Sequence, residues 1–167
     1  MYLFVAIDRT AKFCYATLHE KAHRATACAF LKQLITAVPY KIHTVLTDNG
    51  IQFTHRNYDR WAFEHLFTRI CREQAIKHRL TQVKHPWTNG QVERMNRTLK
   101  EATVKQFHYD SHAQLKAHLH AFLMVYNFAK QLKSLRGLSP YESVFSIYNI
   151  KGLLKLTSGY SSGKLLD

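Results

Sequence analysis

Two carboxylates stand out by what surrounds them. Asp48 follows the short run His43 to Thr47 and opens the triplet Asp48-Asn49-Gly50. An acid just past the C-terminal end of a strand lies where open α/β sheets collect their ligands. Asp-Asn-Gly is equally an ordinary turn, so Asp48 gains a chemical reading only if a second carboxylate converges on the same edge. Glu93 is the candidate: it falls in the first turn of a helix that follows the corner Thr88-Asn89-Gly90, on the flank of that helix's apolar stripe, with Arg97 and Lys100 further along the same flank. Asp and Glu oxygens hold Mg²⁺, while Arg and Lys hold the phosphates on either side of a scissile phosphodiester. Plainer accounts fit as well. A helix-start glutamate is favoured by the macrodipole, and Glu93 can pair with Arg97 one turn on. On composition alone these readings stand level.

The elements that must position these acids follow from periodicity. Tyr2 to Ile7 and Phe13 to Leu18 are apolar runs separated by the polar turn Asp8-Arg9-Thr10, which predicts a β-hairpin. Ala25, Cys28, Ala29, Leu31, Leu34, Ile35 and Val38 recur at helical spacing until Pro39 stops them. The strand His43 to Thr47 then leads into the turn carrying Asp48, and strand, helix, strand implies parallel pairing. A helix over about Tyr58 to Gln74, carrying Trp61, Leu66, Phe67, Ile70 and Cys71, precedes a fourth strand of the same sheet, Ile76 to Val83. Val92, Met95, Leu99 and Ala102 line one face of the helix that starts near Gln91, and a long helix is expected from about Ser111 to Lys133. From about Ser143 the composition becomes linker-like, notably Thr157 to Gly163. The expected division is a core over 1–142 and a poorly anchored tail over 143–167.

Charge narrows the partner. The 167 residues include 24 Lys or Arg against 11 Asp or Glu, a formal net charge of +13. Such an imbalance concentrates polyanions, and nucleic acid is the usual one because each neutralised phosphate releases condensed counterions. A hydrophobic fraction of 46% supports one packed domain. No span approaches the roughly 20 apolar residues that cross a bilayer, so no membrane partner is expected. The N-terminus shows no basic leader or cleavage site, which points to the cytoplasm. Cys14, Cys28 and Cys71 are odd in number and widely spaced, which reads as buried thiols rather than disulfides or structural zinc. The pairs His19/His23 and His108/His112 have ligand-like spacing but lack companions, and read as surface groups or helix starts.

Thr47-Asp48-Asn49-Gly50, the stretch His85-Pro86-Trp87-Thr88-Asn89-Gly90-Gln91-Val92-Glu93-Arg94-Met95-Asn96-Arg97-Thr98-Leu99-Lys100, and Gly137-Leu138-Ser139-Pro140-Tyr141-Glu142 resemble the integrase core of bacterial insertion-sequence transposases, closest to the group named for the IS481 element. The resemblance covers Tyr2 to Glu142. It implies an α/β, ribonuclease-H-like fold with a mixed central sheet flanked by helices. It further implies three carboxylates, Asp, Asp and Glu, holding two divalent ions, Mg²⁺ or Mn²⁺, for DNA strand cleavage and transfer. Asp48 matches the second of these and Glu93 the third.

The first aspartate belongs, in that family, on a strand preceding the one Tyr2 to Ile7 resembles, so a core lacking its first strand, with an exposed sheet edge, is expected. Asp8 aligns with a non-catalytic family position, although its recruitment as the missing ligand is a third reading. The expected protein is a nucleoid-associated bacterial one that contacts DNA through Arg79, Lys84, Arg94, Arg97, Lys100 and Lys105 and transfers strands poorly. The alternative is a non-catalytic remnant that binds DNA or associates with a full-length transposase; homo-oligomers are compatible with both.

Overall fold

The computed structural model describes residues 1–55, 63–82 and 90–148. Strand β1 (Tyr2–Ile7) folds back on β2 (Cys14–His19) as an antiparallel hairpin in which Tyr2 faces His19 and Ile7 faces Cys14. Helix α1 (Arg24–Ala37) follows, and the Nδ1 of His23 caps it by accepting the amide of Thr26 at 3.2 Å. Of the expected stripe Cys28, Leu31 and Leu34 are buried, but Ala25 and Ala29 are exposed, and Ala27 and Phe30 turn inward in their place. Strand β3 (Thr44–Thr47) pairs in parallel with β4 (Lys77–Leu80) across the short helix α2 (Leu66–Glu73). Helices α3 (Gly90–Ala102), α4 (His112–Phe128) and α5 (Pro140–Tyr148) complete the described chain.

Both faces of the hairpin are covered. Phe4 joins α1 and α2 in a cluster with Phe30, Leu31, Phe67, Ile70 and Cys71. On the opposite face Leu3, Val5 and Ile7, with Cys14 and Ala16 of β2, pack against Met95 and Leu99 of α3 and Leu119, Leu123 and Tyr126 of α4. A strand buried on both sides must be apolar at odd and even positions alike, which is why Tyr2 to Ile7 runs without a polar residue. The free edge of β2 is closed by a side chain: buried Asn127 accepts the Cys14 amide at 2.9 Å and donates to the Cys14 carbonyl at 2.7 Å.

Four expectations change. The strands form two hydrogen-bonded pairs, β1 with β2 and β3 with β4, instead of one continuous four-stranded sheet. The second helix starts at Leu66 instead of about Tyr58, because His65 holds an extended backbone and its Nδ1 accepts the amide of Phe67 at 3.2 Å; Trp61 lies outside the described residues. Helix α4 ends at Phe128, where the amides of Ala129 and Lys130 both reach the carbonyl of Val125. Finally, α5 carries the folded chain through Tyr148, past the boundary expected at 142, with Ser143 and Val144 buried; residues 149–167 lie outside the described part. All three cysteines are buried free thiols, and burial pushes Cys14 up to about 12 and Cys71 up to about 11.

Candidate functional site

The turn after β3 is built by three adjacent side chains. The buried hydroxyl of Thr47 lies 2.9 Å from Nε2 of His78 on β4, whose Nδ1 lies 3.0 Å from the hydroxyl of Thr68 on α2. Burial, and then the neighbouring His65, lowers the His78 pKa, so the ring is neutral at pH 7 and serves as a bridge. Asn49 donates to the Thr81 carbonyl at 3.0 Å, fastening the turn to the end of β4. Between these anchors, Asp48 is exposed and spends one oxygen on the Gly50 amide at 2.8 Å. Among the described residues its second oxygen has no partner. The triplet is therefore a turn, as its composition allows, and one that presents a carboxylate from a rigid strand end.

Asp48 lines a cavity of about 780 Å³ together with all of β1 and β3. Gln91, Val92 and Asn96 of α3 and Arg79 of β4 line it too. Glu93 is exposed in the first turn of α3, next to Val92. The structure thus brings Asp48 and the helix turn of Glu93 to the same cavity. Among the described residues no ion pair joins Glu93 to Arg97, so the spacing is not used for pairing there.

The donors present fit a hard divalent cation in kind, since both are carboxylates, but the described residues hold no group of three His, Cys, Asp or Glu side chains arranged for a metal ion. Asp8 lines the same cavity, with both of its oxygens engaged in hydrogen bonds. Its Oδ1 accepts the amides of Thr10 at 2.7 Å and Ala11 at 3.0 Å, and its Oδ2 accepts the hydroxyl of Tyr148 at 3.0 Å. Nothing in the local sequence marks this role, because Tyr148 lies at the far end of the described chain.

Of the basic residues singled out, Arg79, Arg94, Arg97, Lys100 and Lys105 are exposed, and Lys84 lies outside the described residues. Lys105 stands 3.8 Å from Glu101. The other four are exposed along β4 and α3, and Arg79 lines the same cavity as Asp48. Gln91, which sequence reasoning passed over as a helix start, lies 3.3 Å from the Lys12 ammonium and so ties the first turn of α3 to the hairpin loop.

Comparison with known proteins agrees with this architecture. Residues 1–86 match a family model described as integrase core domain, and residues 74–140 match a second model with the same description. An uncharacterized protein of Caenorhabditis elegans is 30% identical over 104 residues, 62% of this chain and 7% of its own length. ORF3 of a Spiroplasma virus, whose name assigns it an integrase role, is 25% identical over 159 residues, 90% of this chain and 43% of its own length. The chain therefore spans less than half of either relative. Among solved structures, the catalytic core domain of BIV integrase superposes with a TM-score of 0.67 at 21% identity, covering 89% of this chain and 88% of that one. A chain of the simian T-cell lymphotropic virus intasome, in complex with a PP2A regulatory subunit, gives 0.66 at 21% identity, covering 84% of this chain and 46% of that one. The fold is accordingly the ribonuclease-H-like α/β fold of retroviral integrase catalytic cores.

Proposed function

Since the chain belongs to the integrase core domain family, we propose that it is the DNA-facing core of an integrase or insertion-sequence transposase. In this reading Asp48 and Glu93 are two of the carboxylates that hold Mg²⁺ or Mn²⁺ for strand cleavage and transfer. The carrying observation is that Asp48 and the first turn of α3 border one cavity. The kinship with bacterial insertion sequences rests on the motif residues around Asp48, Glu93 and Ser139.

Held by such carboxylates, a divalent ion supplies activation of the attacking oxygen and charge stabilisation of the leaving oxygen. The chain's own residues do the rest. Thr47 and Asn49, pinned to β4, fix the carboxylate of Asp48. Arg79, Arg94, Arg97 and Lys100 neutralise phosphates on either side. With Asp8 committed to Thr10, Ala11 and Tyr148, the described residues supply two carboxylates to the task, and strand transfer by these residues alone is weak.

A titration with Mn²⁺ followed by electron paramagnetic resonance, beside an assay for nicking of supercoiled plasmid, tests the assignment. The expected result is weak Mn²⁺ binding that Asp48→Asn and Glu93→Gln each diminish. Metal binding or nicking that survives both substitutions overturns it.

The engaged oxygens of Asp8 favour a second reading, in which the chain is a non-catalytic, nucleoid-associated module that binds DNA or joins a full-length transposase or a second copy. Under it, duplex DNA binding is retained while Asp48→Asn and Glu93→Gln change nothing.

A further inference from the structure

Helix N-caps are ordinarily Ser, Thr, Asp or Asn, whose side-chain oxygen accepts an amide of the first turn, and Ser111 caps α4 in this way. Helices α1 and α2 are capped by histidines instead, His23 and His65, each accepting an amide at Nδ1. An imidazole can accept there only while Nδ1 carries no proton, so the capping ring is neutral and holds its hydrogen on Nε2. His23 is exposed, whereas His65 is 4% exposed.

The surroundings of His65 oppose a second proton. The His55 ring stands edge-on to it at 5.0 Å and 81°, and the Nε2 atoms of both rings are buried without a hydrogen-bond partner among the described residues. Arg24, at the start of α1, adds a positive charge. On the side of α2, Glu64 is spent on Arg72 at 2.8 Å and Arg69 on Glu73 at 3.6 Å, and the amino end of the helix carries the positive pole of its dipole. From β4 the facing group is the neutral His78, whose ring packs at 5.0 Å on Phe67. Burial first, then His55 and Arg24, lowers the His65 pKa, and the backbone of Ile51, which pulls the other way, is outweighed.

Protonation turns Nδ1 from an acceptor into a donor. It would then face the amide of Phe67, a second donor in a buried turn, and the cap would become a repulsion. The consequence does not stop at α2. Thr68, beside Phe67, lies 3.0 Å from Nδ1 of His78, and Nε2 of His78 lies 2.9 Å from the hydroxyl of Thr47, the residue before Asp48.

We propose that His65 is an acid-released latch: its protonation withdraws the cap of α2 and, through Thr68 and His78, loosens the strand end that carries Asp48. The latch is independent of the metal and DNA reading. A folded imidazole that resists its proton contributes fully above about pH 6.5 and loses that contribution as pH falls through its lower folded value.

Hydrogen exchange of the full, ¹⁵N-labelled chain, followed from about pH 7.5 to about pH 5 and expressed as protection factors, reads the latch. The reporters are the amides of Phe67 and of Thr81, which donates to the Thr47 carbonyl at 2.8 Å. Both are expected to lose protection by up to about tenfold per pH unit below about 6.5, while the Cys14 amide, held by Asn127 at 2.9 Å, keeps its own. His65→Asn retains an acceptor at the cap but cannot titrate, so its protection at Phe67 and Thr81 is expected to be independent of pH. Wild-type protection that survives to about pH 5 overturns the proposal. An equal acid loss in His65→Asn overturns it too, because the titrating group would then be another. Loss at Phe67 without loss at Thr81 overturns the relay toward Asp48. Should His65→Asn fail to fold, the wild-type ring still decides: ¹H–¹⁵N correlation is expected to find the proton on Nε2 at about pH 7.5, and a proton on Nδ1 overturns the latch.

Discussion

The carboxylate of Asp8 accepts the hydroxyl of Tyr148 at 3.0 Å, joining the hairpin turn to the last described helix. The ring of Tyr148 stacks on that of Tyr40 nearly parallel, at 4°. Burial, reinforced by Asp8, pushes Tyr148 up to about 12, and burial with the same carboxylate raises Tyr40. An acid that resembles a spare catalytic ligand in the sequence is thus a structural clasp.

Tyr148→Phe should cost about 1 kcal/mol, the net worth of one hydrogen bond, seen as a lower urea midpoint with an unchanged slope. The pH sign follows from the raised value. A folded tyrosine that holds its proton more tightly than the unfolded one contributes fully below about pH 10 and loses that contribution as pH rises toward 12. The gap between wild type and Tyr148→Phe should therefore close across that window. A gap that is constant with pH would mean the clasp does not stabilise the fold.

Asn127 closes the edge of β2 from α4, and its replacement is the severest single change expected. Asn127→Leu keeps the volume but strands the buried amide and carbonyl of Cys14, at a cost of about 2 kcal/mol or more. Thermal unfolding is the check, and a shift no larger than that of an exposed Asn substitution would show that water replaces the lost partner.

What the sequence disclosed, and what it did not, divides along contact range. Cys28, Leu31 and Leu34 betray α1 because their burial depends on one helix's own period. Asp48 and Glu93 were legible as a strand-end acid and a helix-start acid, since both placements are local. The clasp of Asp8 was not, because its partner is 140 positions away. The division of the strands into two pairs was hidden for the same reason: a strand's apolar run shows that it is buried, and says nothing of which edge finds a partner. The early helix start failed differently, since the apolar period before Leu66 was real but the backbone of His65 is extended.

Ser139 and Glu142 form a reciprocal cap on α5. The amide and hydroxyl of Ser139 both donate to Glu142 Oε2, at 2.8 and 2.9 Å, and the Glu142 amide returns to the Ser139 oxygen at 3.3 Å. Ser139→Ala should cost about 1 kcal/mol. The two donors hold Glu142 below the usual carboxylate range, so its contribution is present at neutral pH and disappears as pH falls through the folded value. Glu142→Gln should accordingly differ from wild type at pH 7 and converge with it in acid, as read from denaturant midpoints. Convergence at high pH instead would reverse the assignment.

The basic residues of α3 make the DNA reading quantitative. Arg94, Arg97 and Lys100 are exposed, so each that meets a phosphate should steepen the fall of affinity with salt. Replacing any one by Gln should weaken duplex binding evenly across sequences and reduce the logarithmic salt slope by about 1. Lys105 is shared with Glu101 at 3.8 Å, so Lys105→Gln should reduce the slope less, since that charge is partly neutralised before DNA arrives. Fluorescence anisotropy over a salt series measures both. A slope that none of the four substitutions changes would remove α3 from the DNA interface and leave Arg79 and the region beyond β4 as the place to look.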